Sequence, residues 1–458
     1  MAEPPQKLLL SFYGDDFTGS TDAMEALALH GIKTVLFLDP PESELLQNKF
    51  PDLQAFGVAG ISRSLSPIEM EQVLPPIFQS LRSYGTPVVH YKICSTFDSS
   101  HAVGSIGKAM DIAAEIFPRG RFTPLLVGVP ALRRYTVFGY HYAGLGDAVY
   151  RLDQHPVMAN HPVTPMGEAD LRRHLSGQTS RSLDLFQLEE LNGSPEEVRE
   201  RWNERLKENP DIVLFDVLDN ERLGKAGALI WEEAQQKPIF AVGSSGIEYA
   251  LVEHWKACGL ISNDTRQLPS PGKAEPLVAL SGSCSPVTKQ QLEAAFAYGF
   301  QGIRAPIERL LRPDTADAAR RELLEQCVRA LSDQRNVVIY SALGPEDETI
   351  ATIQNGLIDR GLEAFDTGRL IGQQFGKLCG ELIERTGLRR IVVAGGDTSG
   401  YVTKELGIYA LEVLAPIAPG GPLCRAFSDR EVFDGLEITL KGGQVGKADY
   451  FIRVLNGC

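Results

Sequence analysis

Short apolar runs alternate with amphipathic stretches along the first part of the chain. Lys7–Tyr13 reads as a buried strand, Thr21–His30 as a helix that Gly31 stops, and Lys33–Leu38 and Ala55–Ala59 as the next strands. A continuous apolar run bounded by turn residues suits a strand covered on both faces. Ser66-Pro67-Ile68-Glu69 predicts a capping-box helix start with proline in its first position. Pro75 and Pro76 should kink or split that helix. Val88–Ile93 and Pro124–Val129 predict strands on either side of a helix over Gly104–Phe117. This β-α-β rhythm implies a largely parallel sheet with helices on both faces.

Residues 131–190 break the rhythm. They are rich in His, Tyr, Arg, Gly and Pro and show no clean period; a loop-rich stretch of that length usually covers or builds a site. The rhythm resumes with a second capping-box start at Ser194-Pro195-Glu196-Glu197 and strands at Ile212–Asp216 and Ile239–Val242. Ser262–Pro276 is polar, proline-bearing and aperiodic, the pattern of a linker. Strands at Leu277–Leu280, Val337–Tyr340 and Ile391–Val393 follow it. The expected fold class is α/β in two domains, residues 1–265 and 275–458. Each is a mainly parallel sheet flanked by helices, with the active site in the cleft between them.

At 458 residues the chain is too long for one ordinary core, which fits that division. A formal net charge of −14 argues against nucleic acid or an anionic membrane as partner. It leaves an anionic small molecule open, because a few local cations can override the global field. The seven cysteines are scattered without a CxxC pair or zinc spacing, as in a reducing compartment. The first residues, MAEPPQKLLLSF, are too polar for a signal peptide, and no run approaches the ~20 apolar residues of a membrane span. A cytoplasmic enzyme is expected, with a homodimer as a further expectation.

Candidate chemistry gathers where predicted strands end, which is where open parallel sheets bind ligands. Asp15 and Asp16 follow the first strand, with Asp22 close behind. Paired carboxylates there can bind hydroxyls, hold a metal or act as a general base; the simpler explanation, that Asp15 and Asp16 cap a turn while Ser20 or Thr21 caps the helix, does not call for three acids within eight positions. Lys92 falls inside a predicted strand, where an ammonium must find an acid, solvent or a ligand anion. Asp98 lies just beyond it, and Arg63 follows a third strand and could grip a carboxylate with two hydrogen bonds. In the second domain, Gly395-Gly396-Asp397-Thr398-Ser399-Gly400 follows an apolar run, as does Gly282-Ser283-Cys284-Ser285. Gly442-Gly443-Gln444-Val445-Gly446, after Lys441, adds a third glycine cluster. Such loops at helix starts suit phosphate. There is no Walker A loop and no GxGxxG after the first strand.

Taken together and in order, YGDDFTGSTDAMEA (Tyr13–Ala26), KICSTFDSS (Lys92–Ser100), HPVTPM (His161–Met166), SGSCSPVTKQQ (Ser281–Gln291), GGDTSG (Gly395–Gly400), APGGP (Ala418–Pro422) and LKGGQVG (Leu440–Gly446) resemble the four-carbon acid sugar kinase family. The resemblance implies an ATP-dependent kinase of short sugar acids, with an N-terminal sugar-binding and a C-terminal nucleotide-binding domain. It implies ATP contacts at Gly395, Gly396, Asp397, Thr398 and Gly443, with Ser283 or Ser285 contributing, and sugar-side roles for Asp15, Asp16, Arg63, Lys92 and Asp98. Two regions depart from the family pattern. KGGQVG replaces a lysine-serine-glycine-asparagine-phenylalanine-glycine motif. VGVPALRRYTVF (Val127–Phe138) replaces the stretch found in members acting on tetronates, and resembles a branch that includes 3-oxo-isoapionate kinases.

On this reading Asp16 is the first choice for the base, with Asp15 or Asp98 behind it. Mg2+ would ride on the nucleotide, with no dedicated protein metal site. A nicotinamide-dependent sugar-acid dehydrogenase and a non-catalytic sugar-acid-binding protein are the rival readings.

Overall fold

The computed structural model describes residues 8–117, 120–161, 163–262, 268–358 and 366–458. The chain divides into two units, Met1–Arg266 and Gln267–Cys458. Of the stretch expected to be a linker, residues 263–267 lie outside the described residues.

The first unit contains β1 (Leu10–Gly14), β2 (Thr34–Phe37), β3 (Ala55–Ala59), β4 (Val88–Lys92), β5 (Thr123–Leu126), β6 (Arg134–Val137), β7 (Tyr140–Leu145), β8 (Ala148–Arg151), β9 (Leu183–Phe186), β10 (Ile212–Phe215) and β11 (Ile239–Gly243). Its main sheet runs β2-β3-β1-β4-β11-β5-β10-β9, parallel throughout. From β1 the chain passes to β2, returns with β3 to fill the place between them, and then resumes at β4 on the other side of β1. That reversal makes β1/β4 the switch point where ligands bind in such sheets. Gly14 is in register with both Ala59 and Lys92, so three strand ends meet there. All five residues of β1 and of β4 are buried. Behind them Tyr13 stacks on Tyr91 at 6.0 Å between ring centroids, and Phe78 meets both edge-on.

Both capping boxes form, at Ser66 and Ser194, each with proline in the first helical turn. The helix Pro67–Ser83 is not split at Pro75-Pro76. Met70, Leu74, Phe78 and Leu81 form one buried stripe along it, and the prolines stay off that stripe. Packing of the stripe outweighs the backbone hydrogen bonds that the prolines remove. Residues 131–190 are also more ordered than their pattern implies. They hold an antiparallel three-stranded sheet, β6-β7-β8, and a short helix, Leu171–Ser176.

The second unit contains β12 (Val278–Ser281), β13 (Gln301–Arg304), β14 (Val337–Tyr340), β15 (Arg390–Ala394), β16 (Ile408–Ala415), β17 (Leu423–Ser428) and β18 (Glu437–Lys441). Within it the order is β13-β14-β12-β15-β18-β17-β16, parallel from β13 to β18 and antiparallel beyond. Strand order reverses between β12 and β15, a second switch point. Leu277, Ala279, Val338, Val392 and Ala394 pack there against Leu292, Phe451 and Val454. Among the described residues no helix is long and apolar enough to cross a membrane.

Candidate active site

At the switch point of the first unit, each strand end delivers a charged side chain. Asp15 extends β1: its N–H donates to Lys92 O (2.8 Å) and its carbonyl accepts from Arg63 N (3.0 Å). Asp16 caps the helix Phe17–Ala28, with Oδ1 accepting from Gly19 N at 2.8 Å, while Oδ2 pairs with Arg63. Arg63 also lies 3.9 Å from Asp98, whose Oδ1 accepts from Thr96 Oγ1 at 2.7 Å. Lys92 is almost fully buried; its Nζ donates to Ile93 O (3.0 Å) and lies 3.5 Å from Asp22 Oδ2. Burial alone would depress the Lys92 pKa, but Asp22, Asp15 and Asp16 hold it above the ordinary lysine value. The five sugar-side residues expected from sequence, Asp15, Asp16, Arg63, Lys92 and Asp98, therefore form one charge cluster, which Asp22 completes.

Asp15 differs from its neighbour. Its carboxyl is buried, and Oδ1 has no hydrogen-bond partner among the described residues. Burial pushes it up to about 7 against the opposing pull of Arg63. Asp16 has both oxygens engaged, so the two adjacent carboxylates are unlike in environment and in chemistry.

In the second unit three loops converge. Gly395 adopts φ +129°, which a side chain would strain, and its N–H donates to Lys441 O at 2.9 Å. Gly282 donates to Ala394 O at 2.9 Å, and a Cβ there would sit 2.1 Å from Thr398 Oγ1. Ser285 caps the helix Pro286–Tyr298 through Thr288 N (3.0 Å) and donates to Gly443 O. Thr288 Oγ1 lies 3.1 Å from both Ser283 Oγ and Gly443 O. Ser283, Ser285, Gly395, Thr398 and Gly443 thus lie on loops bonded to one another. Gly396 opens the helix Gly396–Glu405, and a Cβ there would meet nothing within 4 Å. This open space at a helix N-terminus suits a phosphate. Asp397 lies in the first turn of that helix, and its side chain falls outside the described residues.

Residues 10–251 match the model of a sugar-binding N-terminal domain, and residues 278–451 that of a nucleotide-binding C-terminal domain. The chain belongs to the four-carbon acid sugar kinase family. It is 44% identical to a 3-oxo-isoapionate kinase of Paraburkholderia graminis over 453 residues, 99% of this chain and 95% of the relative. A 3-oxo-tetronate kinase of Pseudomonas fluorescens is 30% identical over 98% of this chain and 96% of its own. A solved Haemophilus influenzae family member superposes with a TM-score of 0.73 at 25% identity, covering 97% of this chain and 98% of that one. A Salmonella typhimurium LT2 protein does so at 0.77, with the same identity and coverage. As a member of this family the chain is an ATP-dependent carbohydrate kinase.

In the acid sugar kinase's nucleotide unit, sequence reasoning named Lys441 only as the residue before a glycine cluster and gave it no role of its own. Lys441 ends β18 and is fully buried. Its Nζ donates to Thr288 Oγ1 (3.2 Å) and sits 5.8 Å from the centroid of the Tyr450 ring. Among the described residues it makes no ion pair. Burial lowers it to about 7. The signal was present: like Lys92, Lys441 is a charge at the end of an apolar strand.

Proposed function

We propose that this acid sugar kinase transfers the γ-phosphoryl group of ATP to a hydroxyl of 3-oxo-isoapionate. The observation that carries the choice of substrate is 44% identity to the 3-oxo-isoapionate kinase, against 30% to the 3-oxo-tetronate kinase. The departure of Val127–Phe138 from the pattern of tetronate-acting members supports it. Measuring ADP release with each acid as acceptor tests the choice. A higher kcat/KM is expected for 3-oxo-isoapionate, and a preference for 3-oxo-tetronate overturns it.

In the reaction a substrate hydroxyl gives its proton to Asp15, its oxygen bonds to the γ-phosphorus, the bond from that phosphorus to the bridging oxygen breaks, and ADP leaves. Asp15 suits the base because its free Oδ1 needs a donor and its pKa lies near neutrality. Asp16 keeps Arg63 in place, and Arg63, Lys92 and Asp98 line the acceptor pocket. Phosphoryl transfer depends mostly on positioning and charge stabilisation, which a preorganised cluster of this kind supplies.

Gly395, Gly396, Asp397 and Thr398 would hold the nucleotide's phosphates, with Ser283, Ser285, Gly443 and the amine of Lys441 contributing. Mg2+ takes hard oxygen donors and keeps several waters, so the phosphates would carry it. The hydroxyls of Ser283, Ser285 and Thr398 are donors of the right kind to complete its shell, and among the described residues no set of three or more His, Cys, Asp or Glu forms a cage. Bound there, the ion would neutralise phosphate charge.

Gly396→Val tests the cradle. The side chain enters space that is open in the structure, so the fold should tolerate it. KM for ATP is expected to rise roughly tenfold, the loss of about 1.4 kcal/mol of contact, with KM for the acid unchanged. An equal rise in both KM values would instead mean a damaged fold.

A further inference from the structure

The charge cluster leaves a question about the acceptor. Arg63 is engaged by Asp16 and Asp98, and Lys92 by Asp22. An acid substrate brings one more carboxylate to a pocket already lined with acids, so it needs a cation that those acids have not neutralised.

The hairpin β6-β7 supplies one. It is fastened to the first unit's strand ends from several sides. Thr136 and Val217 exchange backbone hydrogen bonds (2.9 and 2.8 Å), and Asp216 accepts from Phe138 N (2.6 Å) and Gly139 N (2.9 Å). His141 Nε2 donates to Ser95 O at 2.9 Å while Nδ1 accepts from Thr136 Oγ1 at 3.0 Å. Burial drives His141 down to about 3, so it stays a neutral fixture. The hairpin is therefore docked on the loop that carries Cys94 and Asp98.

Arg134 begins β6 on this hairpin. Its Nη1 donates to the carbonyls of Leu132 (3.0 Å) and Gly144 (3.2 Å), which fixes the guanidinium. Its Nε is buried without a partner, and among the described residues it makes no ion pair. Burial lowers the Arg134 pKa and the neighbouring Arg133 adds to that, while the carboxylates of Asp98 and Asp22 pull the other way; the Cys94 thiol, which burial pushes up to about 12, stays neutral. The Nε–Nη2 edge is the edge with which Arg151, Arg172 and Arg199 each grip a carboxylate elsewhere in this chain. In Arg134 the Nε of that edge has no partner among the described residues.

We propose that Arg134 receives the carboxylate of the acid substrate through its Nε–Nη2 edge and so selects acids over neutral sugars. This rests on the reading of the first unit as the acceptor site. A carboxylate there gains two charge-assisted hydrogen bonds in a fixed plane, without displacing Arg63 or Lys92 from the acids they serve.

The test compares wild type with Arg134→Met and Arg134→Lys. ADP release is measured with 3-oxo-isoapionate, with 3-oxo-tetronate and with neutral analogues whose carboxylate is reduced to a hydroxymethyl group. For Arg134→Met, KM for the acid is expected to rise by about 10- to 100-fold, the usual range for a lost hydrogen bond to a charged group. Its KM for ATP and its activity on the neutral analogue should match wild type. Arg134→Lys should recover part of the loss, since it restores the charge without the fork. Turnover of either acid by wild type, with the same KM in Arg134→Met, overturns this proposal alone, as does an equal loss on acid and neutral analogue. Wild-type protein that turns over neither acid overturns the functional reading and this assignment with it.

Discussion

Replacing Asp15 with asparagine is expected to lower kcat by at least ~10²-fold, the low end of the range for loss of a general base. Asparagine keeps the shape and can still hydrogen-bond, but it cannot take a proton. The effect should have a pH signature. Burial holds the Asp15 carboxyl at about 7 in the free enzyme. The base works only when deprotonated, so kcat/KM for the acid should climb as pH rises through about 7 and level off above it. In Asp15→Asn that limb should vanish along with the rate. Asp16→Asn makes the contrast. It removes the charge that pairs with Arg63 while keeping an oxygen to cap the helix, which should raise KM for the acid while the limb near 7 remains. Near-normal turnover by Asp15→Asn, or a limb that survives in it, would assign the proton transfer to another group.

The two carboxylates show where sequence reading stops. That Asp15 and Asp16 lie at a strand end follows from an apolar run ending in Gly14, but the helix pattern starts at Thr21, four residues after the observed start at Phe17, so Asp16 as its cap was not legible. Which of the two is tied up and which is left with a free oxygen depends on Arg63, dozens of residues away, which pairs with Asp16. Parallel strands were legible because both faces are covered and the apolar runs are continuous. The hairpin β6-β7 was not. β7 buries His141 and Ala143 and leaves Leu145 exposed, so its alternation does not follow hydrophobicity. What specifies it is hydrogen bonding to Ser95, Val217 and Asp216, none of which has a local sequence pattern. Arg134 was hidden with it. The unbroken helix through Pro75-Pro76 has the same origin, since local chemistry argues for a break and the buried stripe on its inner face prevails.

Lys441→Met is expected to weaken ATP binding by roughly 10- to 100-fold, the cost of one charged contact to phosphate, and to stabilise the protein without nucleotide. Both effects come from one buried amine. Among the described residues a hydroxyl and a ring face are what the amine meets, so the charged form is costly, and burial brings the folded-state pKa down from 10.5 to about 7. A folded pKa below the unfolded one means that the unfolded chain binds more protons between those values. Stability of the nucleotide-free protein should therefore rise with pH across that window, and Lys441→Met should remove the slope. Phosphate reverses the balance. A nearby polyanion favours the ammonium, so binding ATP should draw in a proton above about pH 7, and affinity should fall by up to about tenfold per pH unit beyond it. Calorimetric titration of ATP in two buffers of different ionisation enthalpy measures that uptake directly. In Lys441→Met the uptake and the alkaline loss of affinity should disappear together. Proton uptake that persists in the variant would place the titrating group elsewhere. ATP affinity equal to wild type would mean that the amine does not face the phosphates. If both effects appear as expected, the lysine trades stability of the empty fold for a charge that forms when the nucleotide arrives.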